Sequence, residues 1–126
     1  MKTIAVDTNI AIDILNGNEK VISMLDIYSV LCIPVTVCGE LLFGAVNSGN
    51  SKRNLVKYRG FISNCTILNI NTDVAEQYAV IRKNLKKRGT PIPENDIWIA
   101  ATCIVYDILL ATNDRHFSYI SSLNLF

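Results

Sequence analysis

Thr3-Ile4-Ala5-Val6-Asp7-Thr8-Asn9 is the stretch that sets the fold class. Thr3 to Val6 carries no formal charge and lacks the polar alternation of a half-exposed strand. Such a run reads as a strand covered on both faces, as in a parallel sheet, with Asp7 at its carboxyl end. Open α/β sheets build their ligand sites at that edge. The rival role for Asp7 alone is to cap a helix beginning near Asn9. Three further acids at comparable places point toward a site.

Working outward, Asn9 to Asn16 carries Ile10, Ile12, Ile14 and Leu15 and stops at Gly17, which predicts a helix. A second short helix is expected over Glu19 to Ile27. Val30-Leu31-Cys32-Ile33 is a second buried strand, stopped by Pro34. Thr36 is the expected cap of a helix that runs to Val46 and is apolar nearly all round. Glu40 sits in the middle of it. Desolvating an unpaired carboxylate there costs several kcal/mol or raises its pKa until it is neutral, and a cation removes that cost. Solvation at the rim of the helix is the competing explanation.

Lys52 to Asn64 reads as a helix bearing Lys52, Arg53, Lys57 and Arg59, and Thr66 to Ile70 as the third strand. Val74, Tyr78, Ile81 and Leu85 then recur at helical spacing behind a cap at Thr72 or Asp73. That helix ends in Arg82, Lys83, Lys86, Lys87 and Arg88 before Gly89. A cationic last turn complements the helix dipole, and phosphate contact by Arg82 and Lys86 is the second reading. Thr90-Pro91-Ile92-Pro93 is extended, because residues before proline avoid the helical region. The helix beginning at Glu94-Asn95-Asp96 has no charge from Ile97 to Ile104, so it is central and buried. Ile108 to Ala111 is the fourth strand, followed at once by Thr112-Asn113-Asp114, and Leu123 to Phe126 is a short edge strand.

The composition narrows the chemistry. A chain of 126 residues is expected to form one domain, residues 1–126. Hydrophobic residues make up 50% of it, yet no uninterrupted run reaches the roughly 18 residues of a spanning helix. Met1-Lys2-Thr3 lacks the features of a signal peptide, so a cytoplasmic protein without membrane attachment is expected. Cys32, Cys38, Cys65 and Cys103 show no C-x-x-C spacing and read as small core residues in a reducing compartment. With His116 as its single histidine, the chain cannot assemble an ordinary zinc site of Cys and His ligands. Carboxylates would have to hold any metal, and they favour Mg2+ or Mn2+.

Alternating strands and helices imply a mainly parallel sheet with right-handed crossovers, which puts all strand carboxyl ends on one edge. Asp7 and Asp114 follow such ends. Asp96 starts a helix leading into the fourth strand, and strand order alone leaves it near the opposite edge unless the proline turn redirects it. If the acids meet, they cannot all stay ionised in a small cleft without a cation. A divalent ion that activates a water and neutralises charge on a phosphate oxygen then makes phosphodiester hydrolysis the natural reaction.

Four stretches resemble the PIN-domain ribonucleases, and most closely the toxin half of VapBC-type toxin–antitoxin pairs. They are Val6-Asp7-Thr8-Asn9, Thr36 to Gly44 (TVCGELLFG), Pro91 to Ala101 (PIPENDIWIAA) and Leu110 to Phe117 (LATNDRHF), in the family order. The resemblance implies a three-layer α/β/α sandwich around a mainly parallel sheet of four to five strands. It makes Asp7, Glu40, Asp96 and Asp114 an acidic quartet around Mg2+ or Mn2+, brings the helix-borne Asp96 into the same pocket, and gives Asn9, Thr112 and Asn113 supporting places. It further implies an RNA substrate, a homodimer and a cognate antitoxin whose tail covers the acidic groove.

Two other classes compete. Aspartyl-phosphate hydrolases need a second acid two residues after the first, where this chain has Asn9, and receiver domains need paired acids after the first strand and a lysine after the last. Neither pattern is present. A non-catalytic scaffold binding RNA or a partner through Lys52–Arg59 and Arg82–Arg88 is the remaining alternative.

Overall fold

β1 (Thr3–Val6) is hydrogen-bonded on both sides in the computed structural model, which describes residues 2–126. Its Ile4, Ala5 and Val6 are wholly buried, as an uninterrupted apolar run requires when both sheet faces are covered. On one side it pairs in parallel with β2 (Val30–Pro34), Ala5 opposite Cys32, and β2 pairs in parallel with β3 (Thr66–Leu68). On its other side lies β4 (Leu110–Ala111), again parallel, with Val6 opposite Ala111. The strand order is therefore β3-β2-β1-β4. Connections move outward from β1 to β3 and then return past β1, so the topology reverses between β1 and β4.

Six helices among the described residues complete the α/β/α arrangement: α1 (Thr8–Leu15), α2 (Glu19–Leu25), α3 (Val35–Val46), α4 (Ser51–Ser63), α5 (Thr72–Arg88) and α6 (Glu94–Val105). α6 is the buried one, with Ile97, Ile99, Ala100, Ala101, Thr102 and Cys103 all inside. None of the helices is long and apolar enough to cross a membrane.

Several boundaries differ from the sequence expectation. β2 continues through Pro34, whose register partner is Leu68, because proline lacks only a donor and strand ends tolerate that loss. Helix α3 begins directly after it, with Pro34 in the cap position and no side-chain cap, so Thr36 lies inside the helix and does not cap it. The cap of α5 is Asn71, whose side chain accepts from the Val74 amide at 3.0 Å, ahead of both Thr72 and Asp73. β3 and α2 end two residues earlier than expected, and β4 keeps only Leu110 and Ala111. The expected edge strand shrinks to one parallel bridge, in which Leu110 donates to Asn124 and accepts from Phe126. A two-residue β4 offers too short a template for more.

The turn after α5 sets the direction of α6. Gly89 adopts the left-handed conformation (φ 69°), its amide donates to Lys86 and the Thr90 amide reaches back to Leu85. The chain then reverses through Pro91–Pro93. Tyr78 stacks on Trp98 with ring centroids 3.9 Å apart, and Arg82 meets Glu94 at 3.2 Å, so α5 and α6 lie antiparallel. An added Cβ at Gly89 would meet only open space, which isolates the backbone strain as the cost of a substitution. Gly89→Ala should lose about 1–2 kcal/mol of stability in a denaturant titration, with an unchanged m-value.

Candidate active site

Open α/β sheets bind ligands outside the strand carboxyl ends where the strand order reverses, here between β1 and β4. A cleft of about 450 Å³ opens there, lined by Asp7, Thr8, Asn9, Glu40, Asp96 and Asp114 together with Pro93, Glu94, Asn95 and Ile99. All four acids singled out in the sequence thus line one cleft. Asp96 reaches it by an ordinary route, in keeping with the resemblance, and the reading from strand order alone that left it near the opposite edge is corrected. A helix that leads into a parallel strand runs antiparallel to it, so α6 ends where β4 begins and starts at the carboxyl edge. A depression of similar size, about 490 Å³, beside α5 has no carboxylate in its lining.

Each acid is held differently. Asp7 caps α1 as well as lining the cleft: its Oδ1 accepts from the Ile10 amide at 3.0 Å. Its Oδ2 accepts from the Thr112 hydroxyl, and that hydroxyl oxygen accepts from the Asp114 amide at 2.9 Å. One threonine therefore ties the end of β1 to the loop after β4. Glu40 is half-buried on α3 and accepts from the Thr8 hydroxyl at 2.7 Å. Asp114 begins the 3₁₀ turn Arg115–Tyr119, where its Oδ1 accepts from the His116 amide at 2.9 Å and lies 3.1 Å from the His116 Nδ1. Asp96 lies in the first turn of α6, whose cap position is Pro93 with no side-chain cap bond. Capping does not account for it.

The electrostatics stem from burial. Asp7 is 4% exposed, and desolvation raises its pKa above the usual carboxylate range against the lowering effect of the Thr112 and Ile10 hydrogen bonds. Burial likewise pushes Asp96 up to about 6, helped by the charges of Asp114 and Glu40 and opposed by His116. Ligand atoms of Asp96, Asp114 and His116 all lie within 4.8 Å of one another. Mutually repelling carboxylates gathered on one cleft are a donor set that fits a hard divalent cation.

The supporting residues divide. Asn9 lines the acid cleft and Thr112 braces Asp7, whereas Asn113 faces a separate depression beside α2 with Lys20 and Met24. Lys86 lies in the neighbouring depression lined by Pro91 and Ile92, together with Arg82. The Arg82 guanidinium bonds both Tyr78 and Glu94, and Glu94 is on the cleft wall. Sequence reasoning misses two contributors. Thr8 comes directly after Asp7 and orients Glu40, a pairing across 32 positions that local spacing cannot reveal. From sequence, His116 serves only to exclude an ordinary zinc site and to complete the LATNDRHF stretch, although its place two residues after Asp114 is a usable signal.

The chain matches the PIN domain over residues 4–123. It belongs to the PIN-domain family, in its VapC branch. Ribonuclease VapC2 of Haemophilus influenzae is 33% identical over 94 residues, 74% of this chain and 71% of its own. The tRNA(fMet)-specific endonuclease VapC of Salmonella typhimurium is 32% identical over 96 residues, covering 75% and 73%. Among solved structures, VapBC-1 from nontypeable Haemophilus influenzae superposes with a TM-score of 0.90 at 26% identity, covering 98% of this chain and 96% of that one. DNA-bound VapBC from Salmonella typhimurium gives 0.88 at 27%, covering 100% and 98%.

The raised pKa of Asp96 makes the stability of the metal-free protein depend on pH. Between the unfolded value of 3.8 and the folded value of about 6 the folded state holds more proton, so stability falls as pH rises through that window. Asp96→Asn removes the titration. The metal-free variant should melt a few degrees above wild type at pH 7.5, with the difference closing toward pH 4, as read by differential scanning calorimetry.

Proposed function

We propose that this chain is a divalent-metal-dependent endoribonuclease and the toxin of a VapBC-type toxin–antitoxin pair. The observation that carries the reading is the meeting of Asp7, Glu40, Asp96 and Asp114 in one cleft at the reversal of the sheet. Names of the VapC relatives as ribonucleases, and of the structural neighbours as toxin–antitoxin complexes, support it. Asp7, Asp96 and Asp114 would hold Mg2+ or Mn2+, with Glu40 beside them. When bound, the cation supplies Lewis-acid stabilisation of the phosphate and lowers the pKa of a water.

The chain's own residues do the rest. Asp7, fixed at both oxygens, is the rigid anchor of the donor set. Glu40 stands outside the close group of Asp96, Asp114 and His116, and the Thr8 hydroxyl holds one of its oxygens. That leaves the Glu40 carboxylate to take the proton of the attacking water. The water oxygen bonds to phosphorus, the P–O bond to the neighbouring nucleotide breaks, and the leaving oxygen acquires a proton. Asn9 and Asn95 on the cleft wall are placed for hydrogen bonds to RNA, and Arg82 and Lys86 for contact with more distant phosphates. In this reading the whole of residues 1–126 is one catalytic domain, acting in the cytoplasm as a homodimer until an antitoxin chain covers the cleft.

Total RNA and a purified tRNA fraction, incubated with the protein in Mg2+ or Mn2+ and in chelator, test the reading. Discrete fragments should appear only with metal and vanish with Asp96→Asn, while Glu40→Gln should slow cleavage by about 10²–10⁴-fold. RNA left intact by metal-loaded protein, or fragments unchanged by chelator and by both substitutions, would rule the nuclease out.

A further inference from the structure

We propose that His116 is a nitrogen ligand of the cation site, so that the cleft takes a transition ion that accepts mixed oxygen and imidazole ligands, such as Mn2+, in preference to Mg2+. The inference rests on the metal-dependent reading above and adds to it the choice of ion. Three observations converge. The imidazole Nδ1 lies 3.1 Å from Asp114 Oδ1, and Asp96 completes a group whose ligand atoms span no more than 4.8 Å. About 3 Å is also the spacing of adjacent donors on one six-coordinate ion with bonds near 2.1–2.2 Å. The backbone that carries the ring is held as well, since Asp114 caps the 3₁₀ turn by accepting the His116 amide.

A surface pairing of His116 with Asp114 alone would leave Asp96 unexplained. Asp96 makes no side-chain hydrogen bond among the described residues and caps no helix, yet it brings a second carboxylate to the same imidazole. Two oxygens and a nitrogen converging from α6 and the 3₁₀ turn form a mixed donor set. Magnesium prefers oxygen ligands and a shell rich in water, whereas imidazole strengthens binding of the later divalent ions. Asp7 and Glu40 add charge from the other wall without altering that preference.

Pulsed EPR on metal-free protein loaded with Mn2+ reads the ligand directly, without reference to cleavage. Wild type should show 14N modulation from a coordinated imidazole, and His116→Gln should lose it. By calorimetry, His116→Gln should bind Mn2+ about 10–100-fold more weakly while its Mg2+ affinity stays within about twofold. Bound Mn2+ without nitrogen coupling in wild type, or equal losses for the two ions, would overturn the proposal and leave the carboxylate site standing. Nitrogen coupling in a protein that leaves RNA intact would uphold the ligand assignment and sink the nuclease. Mn2+ remaining fully hydrated in the presence of wild type would overturn the proposal, and failure to bind Mg2+ as well would overturn the nuclease with it.

Discussion

Asp7 is a carboxylate placed where water scarcely reaches it, and the surrounding structure is arranged to keep it there. Its two oxygens are held from distant parts of the chain, by the first turn of α1 and by a threonine 105 residues away. Those bonds offset part of the desolvation cost, and the charges of Asp114 and Glu40 add to the cost again. A cleft so constructed is least comfortable without a cation. Stability sacrificed at one end of the sheet is the usual companion of a site that has work to do.

The fold is largely legible because its strands are covered on both faces. Unbroken apolar runs at Ile4–Val6 and Val30–Ile33, separated by helical periodicity, admit few arrangements besides a parallel sheet. The boundaries are harder. Pro34 looks like a strand stop but is a strand residue, since only its missing amide is restricted. Asn71 is passed over as a cap in favour of Thr72 and Asp73, because the three adjacent residues share similar capping chemistry. β4 is shorter than its apolar run because Ile108 and Leu109 belong to the approach from α6.

The site is legible in its acids and opaque in its connections. Asp7 and Asp114 come after strands, so the sheet alone brings them to one edge. Asp96 requires the direction of α6 to be worked out, and that direction depends on the reversal at Gly89 and Pro91–Pro93. The resemblance to PIN domains places it in the pocket, and so does the crossover itself, since a helix that leads into a parallel strand starts at the carboxyl edge. Thr8 and Glu40 meet across 32 positions and Thr112 and Asp7 across 105, distances at which no periodicity carries information. Asn113, grouped with the site for its sequence position, faces another depression, because the loop after β4 turns between Thr112 and Asp114.

The parallel pairing of β1 with β4 also orders events in time. Ala5 cannot meet Leu110, nor Asp7 meet Thr112, until every element between them has left the ribosome. Such distant pairings close late and slowly. During synthesis the emerging chain therefore carries an incomplete acidic cleft, and Asp114 joins last. A hydrolase proposed to attack RNA is thereby kept unassembled while the messenger for residues 1–114 is still being read.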